Sequence, residues 1–144
     1  MSDSNYDSDF YAWANEQAAL LRAGRLGQAD IEHIAQEIES MGRTEKRELI
    51  NRLTVLLMHL LKWRVQSELR GASWRLTIEE QRLRIALHLA DNPSLKALQT
   101  QAVADAYRLA VIGARRETGL GAATFPQTCP WSFDIAIDAD FWPD

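Results

Sequence analysis

The sequence predicts an all-α protein, a helical bundle of about four to five main helices with a short C-terminal helix and an aromatic strap. Two observations carry this. Apolar residues recur at three- and four-residue steps in successive segments. Glycines and an Asn-Pro-Ser sequence separate those segments, as helix ends and starts require.

The central segment, Arg43 to Gln66, organises the rest. Leu49, Leu53, Leu56, Leu60 and Trp63 follow one another at steps of four, three, four and three, and Ile50, Leu57 and Leu61 widen the stripe into an arc. A helix apolar over so wide an arc is buried on most sides. Its run Leu53 to Leu61 is far shorter than the roughly 20 residues a bilayer span needs, and Arg52, Lys62 and Arg64 close it, so no membrane role is expected.

Upstream, residues 1–7 are expected to fray, and Asp7 or Asp9 to cap a helix over Ser8 to Ala23 with acid in its first turn. Phe10, Trp13, Ala14, Gln17, Leu20 and Leu21 share one face of it, and Gly24 and Gly27 end it. Asp30 caps a second helix whose Ile31, Ile34, Ala35, Ile38 and Met41 form the expected buried stripe, with Glu37 at its edge. Gly42, costing about 1 kcal/mol relative to Ala in a helix interior, predicts a kink or break before the central helix.

Downstream, Gly71 marks a turn, Ser73 or Thr77 is the expected cap, and Thr77 with Glu80 has capping-box spacing. The helix that follows is apolar on two sides. Trp74, Ile78, Ile85 and Leu89, with Gln81 and Arg82, line one, and Leu76, Leu83 and Leu87 lie almost opposite, so it requires two sets of neighbours. Asn92 and Pro93 start the next helix, with Leu95, Leu98, Ala102, Ala106, Leu109 and Gly113 on one face, and Gly119 and Gly121 end it. Residues 122–144 then change character. Trp131 to Ile137 can form a short helix, and aromatics worth about 1.5–3 kcal/mol each when buried predict a strap across the bundle.

A length of 144 residues matches a single domain, and 47% hydrophobic with 25% charged residues argues against disorder. One cysteine, Cys129, excludes an internal disulfide, and an acidic, polar start carries no signal peptide, which together predict a cytoplasmic protein. The net charge of −4 is unevenly spread. Residues 1–42 hold two basic and eight acidic side chains, residues 43–84 ten and five, and residues 85–144 four and seven. Segments of opposite sign lying side by side account for this, with basic stems snorkelling over apolar surface.

Several stretches, taken together and in order, resemble one bacterial family: DFYAWANEQAALLRAG, IAQEIESMGRTEKREL, LLMHLLKW, GASWRLTIEEQR, PSLKAL, ETGL, FPQTCPW and the closing DFWP. The family is domain of unknown function 29, and the likeness covers almost the whole chain. It implies a compact all-helical bacterial domain and assigns no activity, cofactor or site residue. Val65-Gln66-Ser67 departs from the aromatic residue, Gln and Pro expected there, which implies a different exit from the central helix.

The residues themselves point to little chemistry. There is no GxGxxG, GxxxxGK[ST], HExxH or GxSxG sequence, and one Cys rules out a CxxC zinc site. His33, His59 and His88 are expected on three different helices, but no Glu-x-x-His pair of the kind bundle metal sites use is present, so no metal and no cofactor is expected. Glu37, Arg52, His59 and Arg82 are the candidate polar site, His59 for its edge position one turn from Trp63, and Arg82 for a partly apolar face where pairing with a carboxylate such as Glu37 is expected. Cys129 has no base near it in sequence and reads as an unreactive thiol.

Three functions follow from these readings. The first is a non-enzymatic protein-interaction module with a protein partner or a second copy, using Leu76, Leu83 and Leu87. The second is nucleic-acid binding through segment 43–84, with Arg43, Lys46, Arg47, Lys62, Arg64, Arg70 and Arg75 on phosphates. The third is a small enzyme or metal protein centred on His59.

Overall fold

A computed structural model describes residues 5–144. Of these, 77% are helical and none forms a strand, so the protein is an all-α bundle. Five α-helices occur: α1 (Phe10–Arg22), α2 (Ile31–Val65), α3 (Ala72–Asp91), α4 (Gln99–Thr118) and α5 (Phe133–Ile137), with short 3₁₀ turns between them. The chain forms two compact units, Met1–Thr44 and Glu45–Asp144.

The first unit holds α1 and the start of α2. Asp9 caps α1 by accepting a hydrogen bond from the Ala12 amide at 3.1 Å, and the first turn of the helix itself carries no acid. At the other end Gly24 takes φ +72°, where the Gly24 and Arg25 amides donate to the Leu21 and Leu20 carbonyls. That paired closure suits a residue without Cβ. Only Trp13 and Gln17 are buried among the described residues of this unit. Residues 1–4 lie outside the described residues. Asn5 to Asp7, expected to fray, form a turn from which the Tyr6 ring stacks on His33, with centroids 4.0 Å apart.

Two expectations for this unit are corrected. The helix does not break at Gly42 but runs unbroken through it for 35 residues, so His33 and His59 share α2. One exposed glycine costs about 1 kcal/mol, which a helix already nucleated on both sides sustains. The composition shift there does coincide with the boundary between the two units at Thr44. The stripe Ile31, Ile34, Ala35, Ile38 and Met41 is not buried either: Ile31, Ile38 and Met41 are 54%, 63% and 68% exposed. The neighbouring face, carrying Asp30, His33 and Glu37 and sharing only Ile34 with that stripe, is half-buried instead. Hydrogen bonds donated by Tyr6 and Trp13, and one that Gln17 accepts from the Asp30 amide, select it.

The second unit is built on the rest of α2. Leu49, Leu53, Leu56, Leu57, Leu60 and Leu61 are wholly buried, with Ile78, Ile85 and Leu89 of α3, Ala102, Ala106, Ala110 and Ala114 of α4, and Phe125, Trp131 and Phe133 of the tail. The small residues of α4 permit close helix approach. A Cβ built on Gly113 would stand 2.6 Å from Met58 Sδ on α2. Leu109, expected on the same face, is 51% exposed, and Val103 and Tyr107 are buried in its stead. Neither Ser73 nor Thr77 caps α3, because Gly71 precedes its first residue and the Thr77 hydroxyl donates to the Ser73 carbonyl within the helix. Pro93–Leu98 forms a 3₁₀ helix before α4 begins, and Gly119, at φ +74°, closes α4.

Candidate functional site

The outer face of α3 lies within the second unit. Its inner side is anchored by Ile78, Gln81, Arg82, Ile85 and Leu89, all buried. A helix turns by 100° per residue, so Leu76, Leu83 and Leu87 then point outward together. They are 60%, 60% and 57% exposed, the same three leucines that the sequence places opposite the core face. Ala72, Ala86 and Ala90 are exposed on the same side and keep it low. A cleft of about 380 Å³ runs beside Leu83, between α3 and the tail residues Ile137 and Ala139. A second, of about 580 Å³, continues past Ala86 and Ala90 to Lys96 and Asp134. Glu80 and Arg84 border the leucines, with Arg84 Nε 2.6 Å from Glu80 Oε2.

The four candidate polar residues are each engaged separately. Glu37 accepts the Tyr6 hydroxyl hydrogen bond, which pushes the Tyr6 pKa up. Arg52 Nε donates to Glu48 Oε2 at 2.9 Å, the i, i+4 pair expected from spacing. His59, half-buried, donates from Nδ1 to the Val55 carbonyl at 2.8 Å, and burial pushes its pKa down. Arg82 does not take a carboxylate. Its guanidinium donates to the carbonyls of Ala136 (2.9 Å), Ala139 (3.5 Å) and Phe141 (2.7 Å), and lies 5.3 Å from the centre of the Trp142 ring. The tail passes over it with three carbonyls to satisfy, and a planar fork of N–H donors meets all three where one carboxylate would not. Burial lowers the Arg82 pKa, with nearby Asp138 opposing.

The basic residues of segment 43–84 are dispersed. Lys62 is buried, 2.6 Å from Glu117 Oε1 and over the Trp74 ring. Arg70 donates to the carbonyls of Trp63 (2.6 Å) and Pro143 (3.4 Å). Arg75 lies over the faces of Trp63 and Trp142, whose centroids are 4.6 Å apart. These contacts fasten the strap. Along α2, Lys46 and Arg64 stand about 27 Å apart at 1.5 Å per residue, while Arg43 belongs to the first unit.

Two polar groupings escape a reading of the sequence. In the first unit Asp30 Oδ2 accepts from His33 Nδ1 at 2.7 Å and from Trp13 Nε1 at 3.0 Å, while the Asp30 amide donates to Gln17 Oε1 at 2.7 Å. The His33 hydrogen bond, helped by that of Trp13, holds the Asp30 carboxyl below the usual range. The three-residue spacing of Asp30 and His33 was a visible signal; the partners from α1 were not. The Lys62–Glu117 pair spans 55 residues and left no local trace. Cys129 is half-buried, and burial pushes its thiol pKa up, away from nucleophilic character. Among the described residues no group of three His, Cys, Asp or Glu side chains could hold a metal ion, and no helix is long and apolar enough to cross a membrane.

No curated protein and no solved structure matches the chain. A family model does match, over residues 5–142, which include all five helices and nearly all of the strap. The chain therefore belongs to the family described as Domain of unknown function DUF29.

Proposed function

We propose that the protein is a non-enzymatic interaction module of the cytoplasm whose outer α3 face receives a helix of a protein partner. The observation that carries this is the exposure of Leu76, Leu83 and Leu87 on a helix whose opposite side is locked into the core. Burying each leucine against a partner is worth about 1.5–3 kcal/mol, and contiguous apolar surface of this kind marks contact sites. The rigid backing means that little ordering cost opposes docking. The free, half-buried thiol of Cys129 suits a reducing compartment.

Photo-crosslinking in the native host tests the reading. A benzophenone amino acid at position 83 is expected to give a discrete covalent adduct on irradiation, and the same group at Arg108, exposed on α4, is expected to give none. Equal, diffuse labelling from both positions refutes the assignment of this face.

A further inference from the structure

We infer that the partner helix is α3 of a second copy, packed antiparallel about a two-fold axis at Leu83; this rests on the reading of α3 as a contact face. The exposed stripe is self-complementary about that residue. Leu76 and Ala90 lie seven residues to either side of Leu83, Leu87 and Glu79 four to either side, and every residue of the face between Leu76 and Ala90 is exposed.

At about 1.5 Å rise per residue, Leu87 stands about 6 Å above Leu83 along the axis. A two-fold axis through Leu83 places the partner copy's Leu83 level with it and the partner copy's Leu76 about 10 Å above. Leu87 therefore falls in height between two leucines of the other helix, beside the stem of that copy's Glu79, whose carboxylate reaches the solvent at the rim. Ala86 and Ala90 border this row and allow the helices to approach to about 9 Å, within the usual 8–10 Å separation.

Charge agrees with the same register. Arg84 and Glu80 lie on one edge of the face, 50% and 55% exposed, already paired at 2.6 Å. The two-fold operation keeps that edge on the same side and reverses its direction. Arg84 then lies about 3 Å in height from Glu80 of the other copy. The two existing pairs become a ring of four alternating charges, whereas a parallel two-fold would carry the two pairs to opposite edges of the contact and leave them apart. The pattern is isologous, so the contact closes at two copies and leaves no free leucine face for further growth.

The test uses the full chain with Cys129→Ser as background. Sedimentation of the wild-type chain across a dilution series is expected to show a dimer dissociating to monomer. Leu83→Glu weakens it with helical circular dichroism unchanged. Each copy loses a central apolar anchor at about 30-fold, so the dissociation constant rises about a thousand-fold. Leu83→Cys, which meets itself at the axis, is expected to form an intermolecular disulfide under mild oxidation, because facing Cα atoms of close helices stand about 4–5 Å apart, within disulfide reach. Arg108→Cys is expected to form none. A monomeric wild-type chain, or a disulfide that forms equally from both cysteine variants, overturns the second-copy inference. A monomer whose position-83 photo-adduct is a different protein leaves the contact face standing and removes only the second copy. A dimer that Leu83→Glu leaves intact overturns the second-copy inference, and the contact face falls with it only when position 83 also gives no discrete photo-adduct.

Discussion

Replacing Arg82 by Met keeps an unbranched side chain in place and deletes the fork that holds the C-terminal strap. Two of its hydrogen bonds, Nε to Ala136 at 2.9 Å and Nη2 to Phe141 at 2.7 Å, are short, and the third, to Ala139 at 3.5 Å, is long and adds little. Hydrogen bonds from a charged group contribute about 1.5–3 kcal/mol each. Against this stands the desolvation of a guanidinium that is only 6% exposed, which the Met variant no longer bears. The net loss is about 2–4 kcal/mol, with a fall in Tm of roughly 5–15 °C for a chain of this size. Urea unfolding followed by circular dichroism measures the first, and limited proteolysis with intact-mass readout shows whether residues beyond Ala136 become the first cut. Arg82→Lys keeps the charge but reaches one carbonyl, so it recovers about half of the loss. A Met variant within about 0.5 kcal/mol of wild type, or a Lys variant equal to it, refutes the view that carbonyl satisfaction by the fork holds the strap.

Three further outcomes are expected. Gly113→Ala is close to neutral, because the atom in its way is the mobile end of Met58, whereas Gly113→Leu forces α2 and α4 apart and costs about 1–3 kcal/mol in chemical denaturation. Glu117→Gln destabilises more than Lys62→Met, since the first leaves a buried ammonium without its carboxylate and the second removes the charge while keeping the stem; the reverse order in urea midpoints would refute the pairing. The Asp30 carboxyl has a lowered pKa in the folded chain, so its contribution is present above the ordinary Asp value and is lost as pH falls through the lower, folded one. The Trp13 indole N–H resonance should therefore stay constant across the ordinary carboxylate range and move only below it, and a transition within that range would contradict the network.

Periodicity made the core helix legible because burial at Leu49, Leu53, Leu56 and Leu60 is a property of one face of one helix, decided by spacing alone. The same logic separated the inner side of α3 from Leu76, Leu83 and Leu87, and identified the strap from its aromatics. It failed at Ile31, Ile38 and Met41, where an apolar stripe predicted burial. The polar and aromatic contacts of Asp30, His33 and Glu37 turned the neighbouring face inward. It failed at Arg82 as well, since an arginine on an apolar face announces that something must pair with it but not whether a carboxylate or a set of carbonyls does so.

The sequence by itself determined the all-α class, the helix that carries the core, and which leucines of α3 face away from the packed side, which follow from short-range periodicity, and the family, which follows from the resemblance of its motifs in order. Only the tertiary structure decided that α2 continues through Gly42, that Lys62 is paired with Glu117 rather than offered to phosphate, and that Arg82 belongs to the strap. Those outcomes depend on groups 54 or more residues apart in the chain, or on a helix nucleated on both sides of a residue with a local cost of about 1 kcal/mol. Spacing along one helix carries no information about either.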